Sequence, residues 1–311
     1  MVEDNQIKAQ VSPFAIRKGE IKTFDGKDGY VSMNQIVHKI NIGHINEIHF
    51  AILDLVNEFE FITSRQLYQM LEIKGFDPKS QDKLNNKLEQ LVKSKILTRY
   101  YFTSDEGKGI YRIYCLEKMG KYLLTSKEIE CKWQPSDNTK PVPMIKKRLA
   151  GNQTLIAYLR KVKAFDSYIV KPAITAKVTG KLFKASGGAV KLTKNNKSIQ
   201  FVFEVFRREA DWQKKLVEKM RLYKDFYENF VPGDSGFSSM PQLILICEDE
   251  KHMAECFKEI VTHQVEIPQI KLYFTTDLRQ NEETLENTLV EFKLVDGKYK
   301  MENVELKLLG M

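Results

Sequence analysis

The chain has 311 residues, too many for one ordinary core and suited to two domains, and with 42% of them hydrophobic and 29% charged its composition is that of a soluble globular protein. Its formal net charge of +8 and pI of about 9.0 favour an anionic partner, nucleic acid first. The polar start MVEDNQIKAQ is not a signal peptide, and no apolar run reaches the ~18 residues of a membrane span, so a cytoplasmic protein with no membrane partner is expected.

Residues 1–43 are mixed and polar and read as an N-terminal arm, with a short strand near Tyr30–Met33. Helical periodicity begins at NEIHFAILDLVNEF, where Ile48, Ile52, Leu55 and Val56 share a face. Thr63 or Ser64 caps the next helix, SRQLYQMLEI, and Gly75 and Pro78 break it. A third helix, SQDKLNNKLEQLVKSK, carries the stripe Leu84, Leu88, Leu91 and Val92. ILTRYYF and IYRIYCL flank a turn with Gly107 and Gly109, a β-hairpin, and EKMGKYLLTSK is a further helix. Three helices, a hairpin and a helix within residues 44–130 are the order of an α+β winged helix-turn-helix domain.

Residues 131–145, with three prolines, read as a linker. Residues 146–311 begin with a helix through KKRLAGNQTLIAYLRKVKAF. Strands near 181–192 and 199–206 follow, then a long helix at 210–230, and then strand, helix, strand and a terminal hairpin turning at Asp296–Gly297. Strand–helix–strand order implies an α/β layer with some parallel pairing.

In a winged helix the third helix enters the major groove. Here it presents Gln81, Lys83, Asn85, Asn86 and Lys87, amides that read base edges and ammonium groups that hold phosphates. Lys79 extends the ridge of Lys83 and Lys87, and Arg99, Lys108 and Arg112 lie on the hairpin. Between Lys79 and Tyr101 stand six basic and two acidic residues, so both elements such a fold uses for duplex DNA are basic. Lys146, Lys147 and Arg148 form a further basic strip suited to a phosphate backbone. A solvated helix face, or a winged helix that binds protein, is the competing reading.

Four cysteines (Cys115, Cys131, Cys247, Cys256) form no CxxC pair and have no histidine at zinc-like spacing, so they read as reduced thiols used in packing. The long-helix aromatics Trp212, Tyr223 and Tyr227 read as core. Glu204 is the one carboxylate in the apolar strand QFVFEV, and a charge there needs a partner or a metal. Nucleases of the PD-(D/E)XK type place an aspartate on one strand and acid-x-lysine on the next, to hold Mg2+. This chain has Gly187-Gly188-Ala189 on the first and Phe206 in the lysine place. Glu204 is therefore expected to form an ion pair with Arg207, Arg208, Lys215 or Lys219, with no catalytic residue, metal or other cofactor. The alternative is a Mg2+ nuclease completed by Glu209, Asp211 or Glu218.

The stretches KKRLAGNQTLIAYLRKV, SGGAVKL, FVFEVFRRE, LVEKMRLYKDFYE, PQLILICEDEKHMAECF and KLYFTT resemble the replication-relaxation family of plasmid and integrative-element proteins. With the winged domain they cover most of residues 45–276. The resemblance implies a winged helix followed by a nuclease-like α/β domain of restriction-endonuclease type, here degenerate. Family members often show P-D-A where this chain has Gly187-Gly188-Ala189, and E-x-D-R where it has Glu204-Val205-Phe206-Arg207. The resemblance further implies a DNA-associated role in plasmid replication, conjugative transfer or their regulation, alongside other replication or transfer proteins. The C-terminal domain would then make DNA or protein contacts, including homodimerisation on palindromic half-sites.

Overall fold

The computed structural model describes residues 11–282, 284–296 and 298–309, except the side chains of Lys108 and Ile110. The first elements among the described residues are β1 (Ile21–Phe24) and α1 (Met33–Asn41). The strand thus lies upstream of the position expected near Tyr30–Met33. Ser32 caps α1, accepting from the Gln35 amide while the Gln35 side chain accepts from the Ser32 amide. A short edge strand carries too few alternating residues to announce itself, and its partner is far along the chain, Ile21 pairing with Thr103.

α2 (Glu47–Phe59), β2 (Ile62–Thr63), α3 (Ser64–Ile73) and α4 (Gln81–Lys93) follow, then the hairpin β3 (Leu97–Ser104) and β4 (Gly107–Leu116), and α5 (Lys118–Ser126). Thr63 and Gln66 form the capping box of α3 and Ser80 caps α4. The sheet order is β1-β3-β4-β2. His49 is a buried, satisfied core histidine, bonded to Asn46 at 2.9 Å and to Gln90 at 3.2 Å.

A single 3-10 turn at Pro135–Thr139 precedes α6 (Val142–Lys161), so the helix starts inside the stretch expected to be a linker. Next come β5 (Phe165–Ile169), the ribbon β6 (Ala173–Ala176) and β7 (Lys181–Lys184), β8 (Gly188–Lys194), β9 (Lys197–Val205), α7 (Trp212–Glu228), β10 (Gln242–Cys247), α8 (Glu250–Thr262), β11 (Leu272–Thr276), β12 (Leu289–Val295) and β13 (Lys298–Val304). The strand expected over 181–192 is two strands, parted where Ala185, Ser186 and Gly187 turn from the ribbon into the main sheet. The terminal hairpin forms, although Gly297 of its turn lies outside the described residues.

The seven-stranded sheet has the order β13-β12-β11-β10-β9-β8-β5, parallel only across β9-β10-β11. Alternation along β9 sorts its side chains. Phe201, Phe203 and Val205 join the core under α6, while Val202 and Phe206 join the core under α7 and α8. The α6 core is continuous with that of α2–α5 and runs from Phe14 to Leu309. Among the described residues no helix is long and apolar enough to cross a membrane.

Candidate nucleic-acid interface and the Glu204 pocket

The apolar stripe of α4 is fully buried, which leaves the opposite side outward: Lys83, Asn85 and Asn86 are exposed, and Gln81 and Lys87 half-buried. The Gln81 amide donates to Asn85 Oδ1 at 3.2 Å, and among the described residues Lys83 and Lys87 have no ion-pair partner. Arg112 bonds Asp25 at 2.8 Å yet keeps half its side chain exposed.

Several other expected DNA contacts are committed inside the molecule. Lys79 is the exception: it sits at φ +66° and pairs with Asp77 at 2.5 Å, but both side chains are exposed. Arg99 is 13% exposed and is held by Glu89 and by Asp25 at 2.9 Å. Lys146 is 1% exposed, bonded to the Ala15 carbonyl and, at 2.6 Å, to the buried Glu20. Burial pulls its pKa down and Glu20 opposes the shift. Lys147 pairs with Glu209, and Arg148 donates to the Val170 carbonyl at 2.9 Å beside Glu60. The strip Lys146, Lys147 and Arg148 is thus structural, and not a phosphate track. The Lys108 side chain lies outside the described residues.

A cleft of about 1020 Å³ opens between this surface and α6. Gln81 and Asn85 of α4, Arg112 of β4, Arg65 of α3 and Arg160 of α6 line it. Its one acidic lining residue, Asp277, is spent on Arg207, which donates to both carboxylate oxygens at 2.8 and 2.9 Å. The cleft walls are fixed by buried amides: Gln66 Nε2 donates to the Leu149 carbonyl at 2.8 Å and Asn152 Nδ2 to the Phe61 carbonyl at 2.7 Å. Arg65 and Arg160 were not among the expected contacts; nothing local distinguishes an arginine facing a cleft from one facing bulk water.

Glu204 points to the α7 side and is nearly buried. Ser186 Oγ donates to it at 2.5 Å and Tyr223 Oη at 2.7 Å, with Lys219 Nζ at 3.5 Å. Lys219 is the charge partner among the four candidates. Arg207 goes to Asp277, Arg208 to Glu248, Asp249 and Glu255, and Lys215 to Glu209. The buried Tyr223 hydroxyl, beside this carboxylate, titrates far above its ordinary value, burial first and Glu204 second.

The place of the absent acid is closed by backbone geometry. Gly188 has φ +89°, and a Cβ there would stand 2.8 Å from Leu155 Cδ1 and 3.0 Å from the Ile169 carbonyl oxygen. Phe206 fills the α7 core where a lysine would stand. Of the other proposed ligands, Glu209 is engaged by Lys147 and Lys215, and Asp211 and Glu218 are exposed. Burial pushes the Glu209 carboxyl up, but these two lysines outweigh it and hold it below the usual range.

The four cysteines are free thiols, three of them buried, and one grouping among them was not visible from spacing. Cys247 ends β10, while His252 and Cys256 lie one turn apart on α8, and the turn between strand and helix brings all three together, buried. Burial, with Arg208 and Arg207 nearby, pulls the His252 pKa down to about 3, so its ring is neutral. Burial and Cys247 push the Cys256 thiol well up.

No family model matches the chain, and no curated protein matches it in sequence. Among solved structures it is similar to restriction endonuclease FokI, at 9% identity and a TM-score of 0.29, over 85% of this chain and 54% of that one. The chain thus spans about half the length of that structure.

Proposed function

We propose that the protein binds duplex DNA without cleaving it. Residues 44–130 act as a winged helix-turn-helix, with α4 as the groove-reading helix and β3–β4 as the wing. The C-terminal nuclease-like layer serves as a scaffold whose carboxylate is retired to an internal hydrogen-bond network. The observation that carries this reading is the outward half of α4, with two lysines that have no ion-pair partner among the described residues and three amides, continuous with a cleft whose one acidic residue among those described is already paired. The mobile-element setting belongs to the same proposal and rests on the resemblance alone.

The test is binding of the full chain to duplex DNA across a salt series. Replacing Lys83 and Lys87 together by glutamate removes two phosphate contacts and is expected to flatten the log–log slope by about 0.9 per contact and to abolish binding near physiological salt. Both side chains lie off the core, so thermal stability should hold within about 0.5 kcal/mol. Unchanged affinity in the folded double variant removes α4 from the interface.

A further inference from the structure

A second site stands apart from the cleft and from Glu204. The sulfurs of Cys247 and Cys256 are 3.9 Å apart, and one ring nitrogen of His252 completes a triangle with no side above 4.8 Å. Two thiolates each about 2.3 Å from one ion in a tetrahedral or trigonal site lie about 3.8–4.0 Å apart, so the sulfurs already stand at the separation of a shared metal. His252 Nε2 is fully buried and has no hydrogen-bond partner among the described residues, a cost the fold bears unless something occupies the space beside it. The other ring nitrogen receives the Glu248 amide at 3.3 Å, and Trp212 meets the ring edge-on at 4.9 Å between centroids.

We propose that Cys247, His252 and Cys256 bind a thiophilic d10 metal ion, Zn2+ or Cu+. Two sulfurs and one imidazole select soft and borderline ions over Mg2+ or Ca2+, which take oxygen ligands. Binding through Nε2 moves the ring proton to Nδ1, which gives up the long contact from the Glu248 amide, and displaces the two thiol protons into solvent without electron transfer: M2+ + 2 Cys–SH + His gives M(Cys–S)2(His) + 2 H+. With Zn2+ the first shell is neutral, and with Cu+ it is a single negative charge that the nearby Arg208 guanidinium favours. The ion would clip the start of α8 to the end of β10. That corner also holds the N-terminal arm, through the Ile16 amide on Glu248 at 3.0 Å, so occupancy would set how firmly the arm docks.

The experiment uses the full chain, purified reduced, dialysed against metal-free buffer and titrated with Zn2+ and, anaerobically, with Cu+. The expected result is about one ion per chain, about two protons released per Zn2+, and protection of two thiols from alkylation. Cys256→Ser and His252→Ala should each weaken binding by roughly a hundredfold or more, while Cys131→Ser leaves it unchanged. If those variants do not fold, Co2+ substitution in the wild type reads the same question, since thiolate ligation gives an intense sulfur-to-metal charge-transfer band. Folded wild type that takes up neither Zn2+ nor Cu+ overturns the proposal. So does a bound ion without thiolate charge transfer, or one held with full affinity by folded Cys247→Ser.

Discussion

Replacing Glu204 by glutamine distinguishes a structural carboxylate from a catalytic one. The side chain is 4% exposed and takes two hydroxyl donors and one ammonium. Glutamine keeps one acceptor oxygen and turns the other into a donor. The Tyr223 hydroxyl can rotate to accept from it. Ser186 Oγ cannot adapt as freely, because it already accepts from the Val205 amide at 2.8 Å. One hydrogen bond to a charged acceptor is therefore lost, worth about 1.5–3 kcal/mol. The ion pair adds little: Lys219 is 21% exposed, also donates to the Lys184 carbonyl at 2.8 Å, and pairs of that kind are worth about 0–1 kcal/mol. The sum is a destabilisation of about 1.5–4 kcal/mol, read as a lower urea midpoint at unchanged slope. DNA affinity should stay within about twofold. A carboxylate kept for metal binding behaves oppositely, since catalytic charges are held at a cost in stability and their removal often stabilises. A Glu204→Gln variant as stable as wild type or more so, or metal-dependent nicking by wild type that this substitution abolishes, would refute the reasoning.

Gly188→Asp, which restores an acid at the upstream position, should cost at least about 1–3 kcal/mol from the left-handed backbone alone and give no Mg2+-dependent cleavage; thermal melting and a plasmid-nicking assay check both. Asp277→Asn leaves the wholly buried Arg207 without a counter-charge and should destabilise by about 3–5 kcal/mol, whereas Arg207→Met with Asp277→Leu should recover most of that loss in denaturant titrations. Glu60 governs part of the acid limb. Burial pushes its carboxyl up, but Lys171 at 2.6 Å and Lys140 outweigh this and hold its pKa below 4.5. The folded state then binds fewer protons than the unfolded chain, so this stabilisation is whole above about pH 4.5 and is lost as pH falls through the lowered folded value. Glu60→Gln should lower stability at neutral pH and flatten the acid limb of a stability–pH curve.

Local signals carried most of the element list. The stripes of α2, α3 and α4 and the β3–β4 and β12–β13 turns are written in neighbouring residues, where periodicity and caps act. β1 was missed because its four residues are defined by pairing with β3, Ile21 opposite Thr103, and not by their own alternation. The split between β7 and β8 was missed for a related reason. Gly187 is needed because a Cβ there would fall 2.6 Å from Phe203 Cβ on β9, and Gly188 because α6 approaches closely, with a Cβ falling 2.8 Å from Leu155 Cδ1. A glycine pair in sequence signals freedom of the backbone and does not say which helix presses on it. Glu204 was legible as a misfit, and Lys219, four residues before Tyr223 on α7, as one of its partners; the hydroxyls that take most of its charge were not.

The basic residues show where such reading stops. α4 has a clean apolar stripe, so its lysines can be assigned outward from sequence, and the structure places Lys83 and Lys87 there. α6 lies between α3 and the sheet and is buried from Val142 to Tyr158 on nearly all sides, so no stripe separates inward from outward positions. Lys146 falls at a buried position and survives there only because Glu20 and a carbonyl of the arm reach it, contacts more than 120 residues distant. Removing that carboxylate would strand the ammonium, so the arm is bound into the same charge network that was read as a phosphate track. A run of cations thus marks a DNA surface only when the helix bearing it has one face to bury. By that criterion α4 and the cleft beside it stay in the proposed interface, and the start of α6 leaves it.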